Sequence, residues 1–402
     1  MKILYISYVF QHPKMRGSTR VYSFIKELSR QNEITLLTQS RSEIPAEALQ
    51  EMNSYTQQVI SFDSNQVPGN SRGGFNRRLK RVWQEQATTN QMQKMLSRLV
   101  QEGSYDVILF HGKSAFPVIE HFEALPIAID FCDATSMRIK AEAGYSGFPK
   151  SFWMTLRYWQ MRGIEKKIIK KSPYLAFISC RDRDAILRPD SRAEVIPNGI
   201  DLQYWQRRSN NPLPKRLIFT GVMDYRPNED AALYLIKEIL PPLRRIVPDI
   251  EVFIVGRNPT PKLCKVAQSY PQVTVTGFVQ DMRDYLEQAS LFVAPLRYAS
   301  GMQNKIQEAF AMGVPVITTP VVAAGMVTTN GEKPPLSIAS GATEFTHAIV
   351  DLLENPDERE RLAEEGRCFA EANFVWSRSA EKLENLCHQA VLSWPVRERE
   401  TA

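Results

Sequence analysis

The chain has 402 residues, of which 43% are apolar and 23% charged, enough for two hydrophobic cores and too apolar for a disordered chain. Its formal charge of +6 suits anionic partners such as phosphorylated substrates or lipid surfaces. Five cysteines without CxxC spacing and five histidines in no ligand-like cluster argue against structural zinc or a disulfide framework.

The first strand signal, Lys2-Ile3-Leu4-Tyr5-Ile6-Ser7-Tyr8-Val9, begins almost at Met1 with no basic leader before it, and no later apolar run nears the roughly 20 residues that span a bilayer. Cytoplasmic residence is therefore expected, with room for a peripheral place on the inner face of the cell membrane. A turn at Gly17-Ser18-Thr19-Arg20 leads into a predicted helix over 21–30, and Glu33-Ile34-Thr35-Leu36-Leu37 reads as a second strand. Apolar strands follow at 107–110, 127–129 and 175–178 with helical stretches between them, the signature of a mostly parallel α/β domain with helices on both faces.

After Val195-Ile196-Pro197-Asn198-Gly199-Ile200-Asp201 the pattern restarts at Arg216-Leu217-Ile218-Phe219-Thr220-Gly221, with strands at 251–255, 273–276, 291–294 and 314–318. The expected division is a Rossmann-like domain over 1–198, a second over 199–375, and a tail over 376–402. The amphipathic 376–392 segment of that tail is expected to pack back against the first domain.

Chemistry concentrates near residue 300. Ser300-Gly301-Met302-Gln303-Asn304-Lys305-Ile306-Gln307-Glu308 puts a glycine turn, a lysine and a glutamate around the start of a short helix. Free amides of Met302, Gln303 and Asn304 and the Lys305 ammonium suit phosphates, and Glu308 suits a sugar hydroxyl. The plainer reading is a surface helix with an i,i+3 pair worth only about 0.2–0.5 kcal/mol. Arg226, Asn228 and Arg257 follow strand ends and are phosphate candidates, each with a solvated or capping alternative. Gly277-Phe278-Val279 offers backbone and an apolar surface to a nucleobase, and Gly17-Ser18 offers a loop near phosphates or acceptor. Asp133, after Ile127-Ala128-Ile129-Asp130-Phe131-Cys132, and His111, after Val107-Ile108-Leu109-Phe110, are candidates for orienting an acceptor hydroxyl or moving its proton; capping and structural roles stand beside those. Asp182-Arg183-Asp184 has the spacing of a metal-binding acidic pair, but i and i+2 side chains diverge on a helix, so no metal site is expected.

Taken with Ile196-Pro197-Asn198-Gly199-Ile200-Asp201, Gly221-Val222-Met223-Asp224-Tyr225-Arg226-Pro227-Asn228, Val255-Gly256-Arg257 and Thr276-Gly277-Phe278-Val279, the 305–315 block resembles GT-B glycosyltransferases of the family-4, or glycosyl transferases group 1, type. Within that type the chain looks like the bacterial branch of surface-polysaccharide synthesis. The resemblance implies two facing Rossmann-like domains with an interdomain cleft, the donor held mainly by the second domain and the acceptor by the first. It implies retaining transfer of a hexosyl group from a UDP- or GDP-linked sugar to a glycan or lipid-linked acceptor, with no cofactor or metal required. Many relatives carry two glutamates with seven residues between them; here Glu308 matches the second and Ser300 stands at the first.

Two basic-aromatic stretches suggest an anionic membrane surface as a further partner. Arg72, Arg77, Arg78, Lys80 and Arg81 lie beside Phe75, Leu79, Val82 and Trp83, and residues 150–171 carry seven basic side chains and one acid among Phe152, Trp153, Leu156 and Trp159. A solvated basic face over a domain core is the alternative. No nucleic-acid reader motif accompanies them, so specific nucleic-acid binding is not expected. A dehydrogenase lacks its GxGxxG fingerprint here, which leaves a nucleotide-sugar epimerase as the rival enzyme.

Overall fold

Two parallel sheets account for the two runs of strand signals. The computed structural model describes residues 1–15, 19–64, 74–188, 193–208 and 212–394, apart from the side chains of 74–82. Gly17 and Ser18, Arg72, and the side chains of Phe75, Arg77, Arg78, Leu79, Lys80, Arg81 and Val82 lie outside the described residues. The first sheet comprises β1 (Lys2–Ser7), β2 (Glu33–Ser40), β3 (Gln58–Asp63), β4 (Val107–His111), β5 (Ile127–Cys132), β6 (Leu175–Phe177) and β7 (Glu194–Val195), in the order β3-β2-β1-β4-β5-β6-β7. The second comprises β8 (Arg216–Thr220), β9 (Glu251–Val255), β10 (Val273–Gly277), β11 (Leu291–Ala294), β12 (Val316–Thr318) and β13 (Ser337–Ile338), in the order β10-β9-β8-β11-β12-β13.

The unbroken apolar run of β1 has a physical reason. Alternate side chains point to opposite faces of a strand, and both faces of this sheet are covered. Ile3 and Tyr5 join one core with Phe24 and Ile25 of the helix Arg20–Leu28 and Leu383, Leu386 and Cys387 of the helix Trp376–Leu392. Leu4 and Ile6 join another with Met92 and Leu96 of the helix Gly74–Glu102 and Ile168 of the helix Lys150–Lys171. The last helix thus completes the core of the first sheet, although it follows the second sheet in sequence. Each such large side chain removed from water contributes about 1.5–3 kcal/mol.

The chain passes between the sheets twice, and the two passages touch. Ile200 N donates to Phe374 O at 2.9 Å, and a Cβ on Gly199 would stand 2.4 Å from Trp376 N, so this contact requires glycine. In both sheets the strand order reverses beside the first strand, between β1 and β4 and between β8 and β11. Ligands of open parallel sheets bind beyond the carboxyl ends of strands at such points.

The structure adds three strands that hydrophobic patterning did not mark: β3, β7 and β13. All are edge strands, half-exposed or two residues long, so their pairing supplies what their composition does not.

Candidate active site

The second-domain wall of the cleft is built where β8 and β9 end. A Cβ on Gly256 would stand 1.9 Å from Gly221 O, so the two strand exits abut through bare backbone. A Cβ on Gly221 would stand 2.5 Å from Asn228 Nδ2 and 3.1 Å from Lys305 Nζ, in the space those two groups now share. Asn228, in the helix Arg226–Tyr234, donates from Nδ2 to Val222 O at 3.0 Å, which turns its Oδ1 to accept from Lys305 Nζ. Lys305 Nζ also lies 4.7 Å from the centre of the Phe219 ring.

Lys305 and Glu308 belong to the helix Asn304–Ala311. Ile306, Ala309 and Phe310 bury one side of it. It ends on Gly313, whose φ of 58° and the bonds Gly313 N to Phe310 O at 2.8 Å and Val314 N to Ala309 O at 2.8 Å form a Schellman stop. No side chain caps its first turn, and the Gln303 amide turns away to Ser300 O at 3.1 Å. Opening amides left in this way suit an anion.

These groups line a cleft of about 510 Å³ between the domains. Of the residues singled out from sequence, Asp133, Asn228, Arg257, Phe278, Val279, Met302, Gln303, Asn304, Lys305 and Glu308 line it. Phe278 is 77% exposed, an aromatic face open toward the cleft. Sequence reasoning did not pick out Asn198, Thr220, Tyr225 or Met282 as lining residues. Thr220 Oγ1 is buried with no hydrogen-bond partner among the described residues.

The electrostatics on the second-domain side are unbalanced. Burial pulls the Lys305 ammonium down to about 7, with the nearby Glu308 carboxylate opposing the shift. Burial likewise pushes Glu308 up to about 7, and Lys305 opposes that. Among the described residues no carboxylate lies within ion-pair distance of Lys305 Nζ, whose bond is to the neutral Asn228 amide.

Asp133, from the first domain, stands in the opposite condition. Burial raises its carboxyl, but Lys113 at 3.3 Å, Ser300 Oγ at 2.5 Å and Thr135 Oγ1 at 3.0 Å outweigh it and hold the group at about 2. A carboxylate this acidic is a weak proton acceptor at neutral pH. Its Ser300 partner is the residue at the first-glutamate position, so a carboxylate from the facing domain stands beside that serine.

The structure corrects several placements. Arg226 does not line the cleft: its Nη1 donates to Glu142 Oε1 at 2.7 Å, across the domain boundary. Gly301 donates its amide to Asp182 Oδ1 at 3.1 Å and accepts from Arg181 at 3.1 Å, so that backbone closes the domains together. Gly277, at φ 70°, shapes the turn that presents Phe278. Asp182 lies in the first turn of the helix Cys180–Ile186, capped by Ser179, whose hydroxyl accepts from Asp182 N at 3.2 Å; its carboxylate is fully buried and accepts also from Ala134 N at 2.7 Å. Among the described residues no group of three His, Cys, Asp or Glu side chains is arranged to hold a metal.

His111 is not among the residues lining this cleft of about 510 Å³. Its Nδ1 donates to Asp130 Oδ2 at 2.9 Å, and its Nε2 lies 3.5 Å from Gln11 Nε2. Asp130 accepts twice from the fully buried Arg20, at 2.8 and 2.9 Å. Burial works against that carboxylate, but Arg20 and His111 hold its pKa well below the usual range. Arg20 reaches on to Ile196 O at 3.0 Å and Asn198 Oδ1 at 2.7 Å; Asn198 Nδ2 donates to Asn304 Oδ1 at 2.8 Å, and Gln307 Nε2 donates to Asn198 O at 2.9 Å. A buried polar strut thus runs from the end of β4 to the first turn of the helix Asn304–Ala311. Its sequence signals were Arg20 beside the early turn and Asn198 in the linker.

Comparison with known proteins agrees with this geometry. Residues 214–355 match the family described as Glycosyl transferases group 1. The chain is 25% identical over 233 residues to glycogen synthase of Mycobacterium tuberculosis, covering 55% of each chain. It is 28% identical over 200 residues to phosphatidyl-myo-inositol mannosyltransferase of Mycobacterium leprae, covering 48% of this chain and 52% of that one. It therefore spans about half the length of these relatives. Among solved structures it superposes on sucrose-phosphate synthase from Thermosynechococcus elongatus with a TM-score of 0.69 at 15% identity, covering 98% of this chain and 100% of that one. It also superposes on Anabaena Alr3699/HepE in complex with UDP, with a TM-score of 0.63 at 13% identity, covering 97% of this chain and 100% of that one. The fold is GT-B, and the family match spans the segment that forms the second sheet.

Proposed function

We propose that the protein is a retaining glycosyltransferase that moves a hexosyl group from a nucleoside-diphosphate sugar to a hydroxyl of a glycan or lipid-linked glycan acceptor in cell-surface polysaccharide synthesis. The observation that carries this reading is the half-buried Lys305 cation, without a carboxylate partner among the described residues and beside uncapped helix amides, in a cleft that Glu308 and Phe278 also line. A diphosphate supplies the missing negative charge, Glu308 takes a ribose hydroxyl, and Phe278 and Val279 flank the base. UDP in the HepE complex supports a uridine donor, and GDP is the other candidate.

In this reading Lys305, Arg257 and the helix amides stabilise the departing diphosphate. Asp133 is too acidic to take the acceptor proton, so the departing phosphate oxygen receives it on the same face as the attacking hydroxyl. Asp133 and Ser300 orient hydroxyls, and front-face attack retains the anomeric configuration. Residence is cytoplasmic, at the inner face of the membrane, since the basic-aromatic helix suits a surface where lipid-linked acceptors reside.

The test is proton NMR of the protein incubated with UDP-hexoses and GDP-hexoses, with and without lipid extract of the source cells. The expected result is acceptor-dependent release of UDP or GDP with a product of unchanged anomeric configuration. Inversion at the anomeric carbon would contradict retention, and conversion of the donor sugar to its epimer without acceptor would establish the epimerase instead.

A further inference from the structure

The helix Lys150–Lys171 presents a face that no other element covers among the described residues. Positions 152, 156, 159, 163, 166 and 170 fall within one stripe at 3.6 residues per turn, and all six are exposed. The stripe starts with Phe152 at 61% exposure, Leu156 at 44% and Trp159 at 62%, and continues through Gly163 to Lys166 and Lys170. Trp153, 60% exposed, flanks it, and Phe148, 88% exposed, precedes it. The opposite side holds the buried Met154, Glu165 and Ile168. Glu165, the helix's one acid, accepts from Ser136 N at 3.1 Å and from its hydroxyl, so no carboxylate of this helix faces outward. Lys167 lies at the stripe's margin and is paired with Glu120 at 2.8 Å, leaving Lys166 and Lys170 as the outward cations of the stripe.

Aromatic rings and lysines sharing one flat face suit an interface that is apolar below and anionic above. The place of the face in the fold matters too. Arg226 Nη1, one residue from the cleft-lining Tyr225, contacts Met154 Sδ at 3.7 Å as well as Glu142. Tyr145, between Asp133 and this helix, stacks on Tyr298 of the second domain at 5.8 Å. The aromatic end of the stripe therefore lies beside the flank of the cleft.

We infer that this face docks on an anionic bilayer, with Phe152, Trp153, Leu156 and Trp159 entering the headgroup boundary and Lys166 and Lys170 on the anionic headgroups, so that the cleft opens beside the membrane and receives a lipid-anchored acceptor. The choice of acceptor rests on the transferase reading above; the bilayer contact does not.

The test is co-sedimentation of the full chain with vesicles of phosphatidylcholine alone or with phosphatidylglycerol, while UDP binding is measured on the same preparations. Wild type is expected to bind the anionic vesicles, with a blue shift of tryptophan emission and loss at high salt. Lys166→Gln with Lys170→Gln should weaken that binding by about fivefold per lysine removed. Phe152→Ser with Trp153→Ser and Trp159→Ser should abolish the blue shift and leave UDP binding unchanged. Vesicle binding equal in wild type and both variants would overturn the assignment, as would absence of vesicle binding in a protein that binds UDP. A dimer of the wild type that the aromatic variant dissociates, without vesicle binding, would assign the face to a second copy of the chain. Vesicle capture without UDP binding would overturn the donor reading and leave the bilayer face standing.

Discussion

The two sides of the cleft treat buried charge in opposite ways. On the first-domain side Arg20, Asp130 and His111 satisfy one another through short hydrogen bonds, and the strut continues to neutral amides in the second domain. On the second-domain side Lys305 and Glu308 are both drawn toward their neutral forms, and neither has an ion-pair partner among the described residues. Burying a charge costs free energy that only a partner offsets. The first cluster meets that cost within the chain, whereas the second has no such partner among the described residues; in the function proposed above, a ligand supplies it.

Substitutions in the two clusters sharpen that contrast. Arg20→Met strands the buried Asp130 carboxylate, and Asp130→Asn strands Arg20; each is expected to lower unfolding free energy by about 3–5 kcal/mol in urea titrations. Lys305→Met removes a cation the fold does not need, and its urea midpoint should match or exceed that of wild type. Arg226→Ala should cost about 1–3 kcal/mol, because Glu142 is buried but keeps Arg138 at 3.4 Å. Stability loss by Lys305→Met as large as that by Arg20→Met would erase the distinction.

A smaller effect lies in proton linkage. In the free protein Lys305 titrates at about 7, and a bound diphosphate raises that value. Binding above neutral pH therefore takes up a proton, and affinity should fall by up to about tenfold per pH unit between roughly pH 7.5 and 9, above the terminal phosphate's own pKa of about 6. Glu308→Gln removes the one neighbour whose titration overlaps. Calorimetry of that variant in buffers of different ionisation enthalpy checks the sign, and proton release instead of uptake would contradict it.

Much of this was legible in the sequence. Strands buried on both faces read as apolar runs, and the helix with Lys305 and Glu308 was framed by its glycine turns. The edge strands β3, β7 and β13 were not legible because sheet pairing, not composition, defines them. Arg226 and His111 show the other limit. In sequence both come just after apolar strand signals, where a ligand contact and a contact to another element look alike, and only the tertiary structure shows Glu142 and Asp130 beside them. No role of its own attaches to Asn198 in the linker sequence, and its place between Arg20 and Asn304 depends on how the two domains meet.

The most direct test of this account is a calorimetric titration of UDP and GDP into wild type and Lys305→Met, both shown folded by their urea transitions. The account predicts binding of one nucleotide by wild type and a loss of roughly tenfold to a hundredfold in the variant, the range of a charge-assisted hydrogen bond in a buried site. Equal affinity in the two proteins, or no binding of either nucleotide to the folded wild type, would contradict it.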